Sequence, residues 1–203
     1  MHRAPAILRY VPSTRTPVVA AGSFAAAAQP TIAADGLELR PWQPADSAVL
    51  VRAYSDEAIV RWHALTLTGR EAEERIAERS RAWTDETGGD WAVVEAGSVA
   101  GRVSMRHLDL ADGSAELGYW VLPECRGRAV ARRAVAALSE WLFARGLHRL
   151  EIEHAVENRA SCAVAQSAGF ILEGTKRDGL LHADGWHDMH LHARLAGDPY
   201  QQG

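Results

Sequence analysis

The chain has 203 residues, 47% of them hydrophobic, and a formal net charge of −4, as expected for one globular domain. No uncharged apolar run reaches about 18 residues, so no membrane-spanning helix is expected. The negative charge excludes a nucleic-acid binder that depends on a strong overall basic field. Two cysteines, Cys125 and Cys162, are too few for a disulfide scaffold and favour a reducing compartment, the cytoplasm. Lys176 is the single lysine among 22 basic residues, a bias that indicates a GC-rich bacterial genome.

The first 30 residues differ in composition from the rest. They contain scattered proline and arginine, then an alanine-rich stretch at Val18–Ala28, without an apolar period. This pattern predicts a poorly ordered extension over residues 1–30. A secretory signal is the alternative, but its basic part would be long and its apolar part mostly alanine. Residues 31–196 are expected to form the domain and residues 197–203 a tail.

Regular patterns begin at Leu37. In the N-terminal half we predict a strand at 37–42, a helix that starts at 44–46, a charged helix from Thr68 to about Glu86, and strands at 91–94 and 99–105. Thr68 with Glu71 three residues later is the pattern of a capping box. Ala96 and Gly97 lie between the two strands and predict a hairpin.

The C-terminal half alternates strands and helices. The predicted elements are a strand at 115–122, a long helix at about 127–145, a strand at 149–155, a short helix at about 159–168, and strands at 170–175 and 186–194. The mixed order predicts an α+β fold, with a helix crossover between the fourth and fifth strands.

The segment from Glu116 to Ala131 carries the strongest chemical signal. It reads as a strand, a turn of small residues and arginines, and the start of a helix. Such a turn directs free N–H groups and the positive end of the helix at one point, which suits an anion such as a pyrophosphate. Arg126, Arg128, Arg132 and Arg133 add positive charge nearby. A plain helix N-terminus with a solvated arginine face is the alternative.

Residues Arg126–Ala131 resemble the Q/R-x-x-G-x-G/A signature of the GNAT superfamily of acetyl-CoA-dependent N-acetyltransferases. One position departs from the signature, because Ala129 stands where the central glycine is usual. A positive φ at this alanine would cost about 1 kcal/mol or more. The departure predicts reduced affinity for CoA.

Three further segments resemble the RimJ/RimL branch of that superfamily, which acetylates the N-termini of ribosomal proteins. They are the strand Ala115–Trp120, the N-x-x-S … G-F … E-G pattern at Asn158–Ser161, Ala168–Phe170 and Glu173–Gly174, and the G-x-W-x-D ending at Gly185–Asp188. The resemblance spans about residues 31–195. It implies the GNAT fold, a mixed, mostly antiparallel sheet that splays between its fourth and fifth strands and is flanked by helices.

The resemblance implies direct transfer of acetyl from acetyl-CoA to an amine. Glu116 resembles a fourth-strand glutamate of some GNAT enzymes and is the candidate base, through a water; a solvated or ion-paired glutamate is the alternative. Ser161 resembles a hydroxyl near the CoA sulfur and is the candidate proton donor to the thiolate. It could instead serve only the local helix turn. N–H groups of residues 120–122 would hold the oxyanion if the strand bulges there.

Binding residues follow from the same resemblance. The expected contacts to acetyl-CoA are Val121, Leu122, Arg126, Gly127, Arg128, Ala129, Val130, Ala131 and Asn158. Asn158 is also the expected cap of its helix. Trp62 and Tyr119 are the expected contacts to the acceptor, although tryptophans in this half are most often core anchors.

Cysteine and histidine chemistry is not expected to contribute. A nucleophilic cysteine would need a paired histidine, and direct transfer needs no acyl-enzyme. His182, His187, His190 and His192 cluster near the end of the sequence. A metal site there would need fixed second-shell partners, so we expect strand packing or an active-site wall and no metal.

The sequence therefore predicts an N-acetyltransferase that acts on a protein N-terminal α-amine or a small primary amine, without nucleic-acid or membrane partners. Assembly as a homodimer stays open. The alternatives are an enzyme that acetylates an amine-bearing antibiotic, a catalytically silent GNAT-like domain that binds CoA, and a dinucleotide-binding module. The last lacks the G-x-G-x-x-G pattern.

Overall fold

A computed structural model describes residues 15–63 and 65–199. Its strands are β1 (Ile32–Ala34), β2 (Leu37–Pro41), β3 (Gly89–Glu95), β4 (Ser98–Asp109), β5 (Ser114–Val121), β6 (Arg149–Ala155), β7 (Ile171–His182) and β8 (Gly185–Leu195). Its helices are α1 (Ser47–Ala53), α2 (Glu57–His63), α3 (Gly69–Thr84), α4 (Val130–Ala144) and α5 (Arg159–Ser167). None of the helices in these two ranges is long and apolar enough to cross a membrane.

The eight strands form one mixed sheet in the order β1-β2-β3-β4-β5-β6-β8-β7. Every neighbouring pair is antiparallel except β5 and β6, which are parallel and are joined through α4. Their pairing covers only three positions, from Ser114–Arg149 to Glu116–Glu151. The predicted α+β class, the crossover and the splay between these two strands are confirmed.

Several element boundaries differ from the predicted ones. The three residues of β1 are too few to give a periodic pattern, and α2 was not predicted as a separate helix. Helix α4 starts at Val130 rather than near residue 127, because Gly127 and Ala129 both have positive φ, which a right-handed helix excludes. The capping box of α3 is confirmed, since the side chains of Thr68 and Glu71 each bond the other residue's backbone N–H.

The long helix α4 supplies much of the core beside the functional end of the sheet. Its side chains at Ala134, Val135, Leu138 and Leu142 are buried, and α4 packs against β1, β2, β4 and β5. This apolar face follows the 3.6-residue period that predicted it. Its burial fixes the N-terminus of α4 next to the end of β5.

Val19 and Phe24, within residues 15–30, are buried against the domain, whereas composition predicted a poorly ordered extension there. Phe24 is 3% exposed and its ring lies 5.6 Å from Trp83 and 6.0 Å from Trp141, centroid to centroid. The Glu86 carboxylate accepts hydrogen bonds from the N–H groups of Gly22, Phe24 and Ala25. One aromatic side chain and backbone N–H groups hold this segment on the domain. Neither contact gives the sequence an apolar period, so periodicity could not predict the docking. Residues 1–14 and 200–203 lie outside the described residues.

Replacing Phe24 tests this docking. We expect Phe24→Ala to lower the free energy of unfolding by about 3–5 kcal/mol, the usual loss for a buried aromatic side chain. Val18→Ala is the control, because Val18 is 54% exposed, and it should cost less than about 1 kcal/mol. Urea unfolding followed by circular dichroism measures both. Equal values for the two variants would show that the segment is not docked in solution.

Candidate functional site

The gap between β5 and β6 contains the main cavity near the predicted site residues. Beyond Glu116 the two strands no longer pair, and a cavity of about 600 Å³ opens between β5, α2, α5 and the turn before α4. The predicted residues in its wall are Trp62, Tyr119, Val121, Arg126, Gly127, Ala129, Val130, Ala131, Asn158 and Ser161. The splayed sheet therefore brings together residues that are up to about a hundred positions apart in the chain.

The turn before α4 exposes free backbone donors. Ala129 is left-handed, with φ of 55° and ψ of 20°, and no side chain caps the helix. Gly127 also has positive φ, at 76°. The first N–H groups of a helix have no partner within the helix, so those of α4 remain available to an anion, which the helix dipole also favours.

The arginines of this turn have different roles. Arg126 lines the cavity and donates to Asp56 Oδ1 at 2.6 Å and to the Val121 carbonyl at 3.2 Å. Arg128 lies outside the cavity wall and pairs with Glu95 at 3.2 Å, and Arg133 pairs with the same carboxylate. Fewer arginines than predicted can therefore move to meet an anion at this turn, because Arg128 and Arg133 are paired with Glu95.

Tyr119 and Ser161 meet where the cavity joins a second, smaller one. The Tyr119 hydroxyl oxygen lies 2.7 Å from Ser161 Oγ and 3.1 Å from the Ser161 carbonyl oxygen. The Asn158 side chain accepts from the Ser161 N–H at 3.1 Å, which confirms Asn158 as the cap of α5. Burial raises the pKa of Tyr119, so its phenol stays protonated and can donate.

The smaller cavity has a volume of about 330 Å³ and lies between β5, β6 and the β7–β8 hairpin. Arg102, Arg106, Glu153 and His182 line it; of these only His182 was named from the sequence, in the histidine cluster expected to form strand packing or an active-site wall. Glu153 pairs with Lys176. Strand alternation in β6 could have placed Glu153 on one face, but only the tertiary fold shows that this face borders the gap.

His63 also lines both cavities and is neutral at neutral pH. Burial, aided by the positive charges of Arg102 and Arg106, lowers its pKa to about 4. The Leu122 N–H donates to the Ala100 carbonyl on the β4 side. By strand alternation the N–H groups of Tyr119 and Val121 face the gap.

The predicted residues Glu116, Leu122 and Arg128 do not line either cavity. The Glu116 carboxylate is hydrogen-bonded to Arg106 and lies 3.6 Å from His107 Nε2. Leu122 is fully buried. The β4–β5 register runs without a shift from Gly101–Val121 to Arg106–Glu116, so β5 has no bulge over this stretch to release the N–H of Leu122.

A third concavity, of about 660 Å³, lies between β1 and α4. None of the predicted catalytic or binding residues lines it. We take the gap between β5 and β6 as the functional site, because among these three cavities it is the one that joins the helix N-terminus to the Tyr119–Ser161 pair.

The sheet and its gap define an open mixed α/β architecture, and comparison with known proteins identifies the family. The model of the family described as an acetyltransferase (GNAT) domain matches residues 36–171. The chain belongs to this family.

Two curated relatives have more specific names. The "Putative ribosomal N-acetyltransferase YdaF" of Bacillus subtilis (strain 168) is 33% identical over 121 residues, which cover 59% of this chain and 66% of that protein. The "Ribosomal-protein-serine acetyltransferase" of Escherichia coli (strain K12) is 32% identical over 96 residues, which cover 47% of this chain and 54% of that protein. The chain thus matches less than two thirds of the length of each.

Solved structures agree on the fold. A crystal structure named "Probable acetyltransferase" superposes with a TM-score of 0.76 at 28% identity, over 81% of this chain and 96% of the other. RimL, a ribosomal L7/L12 alpha-N-protein acetyltransferase in complex with coenzyme A, gives a TM-score of 0.77 at 21% identity, over 82% of this chain and 98% of its own. At this identity RimL supports the fold alone.

The left-handed alanine gives a stability prediction. Ala129→Gly removes a strain of about 1–2 kcal/mol, offset by about 0.4–1 kcal/mol of added freedom in the unfolded chain. We expect the free energy of unfolding to rise by about 0.5–1 kcal/mol. Ala131→Gly is the matched control, because Ala131 lies inside α4 and its replacement should cost about 1 kcal/mol. Denaturant unfolding in which Ala129→Gly destabilises as much as Ala131→Gly would contradict the left-handed backbone.

Proposed function

We propose that this protein is an acetyl-CoA-dependent N-acetyltransferase that moves acetyl directly to a primary amine. One observation carries the proposal: the uncapped N-terminus of α4 and the hydrogen-bonded Tyr119–Ser161 pair lie along the same cavity in the gap between β5 and β6. The first suits a pyrophosphate and the second a departing thiolate. A CoA thioester needs both, whereas a dinucleotide needs a pyrophosphate site but releases no thiolate.

The cavity offers contacts for the pyrophosphate, the pantetheine arm and the thioester of acetyl-CoA. The N–H groups of residues 127–131 and the Arg126 guanidinium would hold the pyrophosphate. Asn158 and the free edge of β5 would contact the pantetheine arm, whose amides can pair with the backbone groups of Tyr119 and Val121 that face the gap. This placement leads the thioester to the junction of the two cavities, next to Ser161.

The residues at the junction of the two cavities can assist both steps of the reaction, attack of the amine on the acetyl carbon and cleavage of the carbon–sulfur bond. When the amine attacks the acetyl carbon, the N–H groups of Tyr119 or Val121 would hydrogen-bond the oxygen that gains negative charge. When the carbon–sulfur bond breaks, Ser161 would give its hydroxyl proton to the thiolate and recover one from the Tyr119 phenol, with solvent completing the relay. The amine enters from the smaller cavity, where Trp62 and Tyr119 would contact the acceptor.

We infer that the acceptor is a protein N-terminal α-amine. An α-amine has a pKa of about 7.7–8.0 against about 10.4 for a lysine side chain, so about a tenth of it is already neutral at pH 7. Arg102 and Arg106 line the smaller cavity, and their positive charges also favour the neutral amine over its cation, while the Glu153 carboxylate in the same wall is paired with Lys176. The names of the two curated relatives agree with a ribosomal protein as acceptor. Acetyl-CoA as donor and free cysteines favour the cytoplasm as its location.

Glu116 is proposed to act through Arg106 rather than as the base. Its carboxylate holds the guanidinium of Arg106, which lines the smaller cavity, while Glu116 itself does not. The amine proton would then pass to solvent. This revises the role expected from the resemblance and makes Glu116 a positioning residue.

Product analysis with a panel of amines tests the function. The protein is incubated with acetyl-CoA and, separately, a peptide with a free N-terminus, the same peptide with a blocked N-terminus and one lysine, and a small aminoglycoside amine. We expect thiol release and a one-acetyl mass increase with the free N-terminus only. Acetylation of the aminoglycoside alone would support an antibiotic-modifying enzyme, and acetyl-CoA binding without release in any mixture would support a silent binder.

Two neighbouring arginines provide a test of the pyrophosphate position. Arg126→Gln removes a charged hydrogen-bond donor from the cavity wall, so the Kd for acetyl-CoA should rise at least about tenfold. Arg128→Gln is the matched control, because Arg128 lies outside the wall and pairs with Glu95; its Kd should change less than about twofold. Calorimetric titration measures both. An unchanged Kd in Arg126→Gln would remove Arg126 from the proposed phosphate site, and equal losses in the two variants would contradict the separate roles of the two arginines.

The pH dependence of Glu116→Gln distinguishes a positioning residue from a base. We expect kcat to fall by a similar factor from about pH 7 to about pH 9, with acetyl-CoA affinity unchanged, because Glu116→Gln releases Arg106 from its position but leaves in the cavity wall the positive charge that favours the neutral amine. Arg106→Gln should give a comparable loss, and the double variant should lose no more than either single one. A loss that shrinks as the pH rises would instead identify Glu116 as the group that takes the amine proton.

A further inference from the structure

Four side chains that could bind a metal converge on the face of the sheet beside α5. His154 on β6 is in register with His190 on β8, and His192 lies two residues further along β8, on the same face. Helix α5 packs against β6, β7 and β8 and contributes Cys162. One nitrogen or sulfur atom from each of the four lies within 4.8 Å of the others, and Cys162 Sγ is 3.9 Å from His192 Nε2.

Two of the four residues are buried and two are half-buried, and the hydrogen bonding of the cluster is incomplete. His154 is 4% exposed and His192 is fully buried. Neither Nε2 of His154 nor Nδ1 of His190 has a hydrogen-bond partner. A buried polar atom without a partner costs free energy comparable to a lost hydrogen bond. Packing alone therefore does not explain why three imidazoles and a thiol are gathered here.

The hydrogen bond on the other nitrogen of His154 prepares the ring for a metal. Its Nδ1 lies 2.8 Å from the carbonyl oxygen of Ala155. A carbonyl can only accept, so Nδ1 carries the proton and Nε2 presents a lone pair. Metal-binding histidines are usually fixed in this way, by donating their second N–H to a backbone carbonyl. A metal was not expected from the sequence because no fixed second-shell partner could be identified there. The Ala155 carbonyl is such a partner.

We propose that His154, Cys162, His190 and His192 form a binding site for Zn²⁺. Three imidazoles and one thiolate are a ligand set that zinc favours in tetrahedral geometry. Tetrahedral zinc ligands of this kind stand about 3.3–3.6 Å apart, so atoms of the cluster need to approach one another by up to about 1.5 Å. On binding, the Cys162 thiol releases its proton to solvent as the sulfur–zinc bond forms.

The site is structural and takes no part in the chemical steps of the proposed acetyl transfer. Four protein ligands close the coordination sphere and leave no position for substrate. Cys162 lines neither cavity, although His154 reaches the wall of the smaller one. Because Cys162 directly follows Ser161 on α5, the ion would tie α5 to β6 and β8 and hold Ser161 in place against Tyr119.

Cobalt titration of the full-length, reduced, chelator-treated protein tests the site directly. We expect Co²⁺ to bind one ion per chain, with a sulfur-to-cobalt charge-transfer band in the near ultraviolet and visible bands of tetrahedral intensity, both lost when Zn²⁺ is added. Cys162→Ser should abolish the charge-transfer band. Cys125→Ser is the matched control, since Cys125 lies outside the cluster, and the band should remain.

Histidine variants locate the remaining ligands. We expect His154→Gln to weaken Co²⁺ binding at least about tenfold, whereas His182→Gln, in the β7–β8 hairpin, should leave it unchanged. Zn²⁺ should also raise the Tm of the unaltered protein but not that of Cys162→Ser. The proposal is overturned if the unaltered protein binds no Co²⁺, if the charge-transfer band persists in Cys162→Ser, or if His182→Gln removes binding and His154→Gln does not.

Discussion

The separation of β5 from β6 is the constraint on which the rest of the site depends. The two parallel strands pair at only three positions and then diverge, which leaves backbone N–H and C=O groups of β5 without a strand partner. Such groups require a ligand or solvent in place of the missing strand. The same divergence brings the N-termini of α4 and α5 to the two sides of the gap, so one departure from regular pairing creates both the cavity and its polar contacts.

A buried ionic network supports the wall of the smaller cavity. The Asp90 carboxylate accepts two short hydrogen bonds from Arg102, lies 3.1 Å from Arg79 and accepts from the Trp42 indole at 2.7 Å. Buried charges are tolerated when they are paired and hydrogen-bonded in this way. The Asp90 carbonyl also accepts from the Gln29 side chain. The N-terminal segment is thereby connected to the residue that positions Arg102.

Local sequence patterns predicted most helices and strands, whereas contacts between residues far apart in the chain determine which side chains meet at the site. The capping box of Thr68 and Glu71 and the turn before α4 follow from neighbouring residues, so the sequence alone predicted them. The docking of Phe24 depends on aromatic partners far along the chain. The meeting of His154 with Cys162 depends on the β6–β8 register and on the packing of α5, which no local period encodes.

The most direct test of the account is hydrogen exchange with and without acetyl-CoA. Slower exchange is expected at the amides of residues 127–131 and at Tyr119 and Val121, whose N–H groups face the gap. The β3–β4 hairpin at Ala96 and Gly97 should not change. Protection confined to the groove between β1 and α4, or binding without protection at residues 127–131, would contradict the gap between β5 and β6 as the acetyl-CoA site.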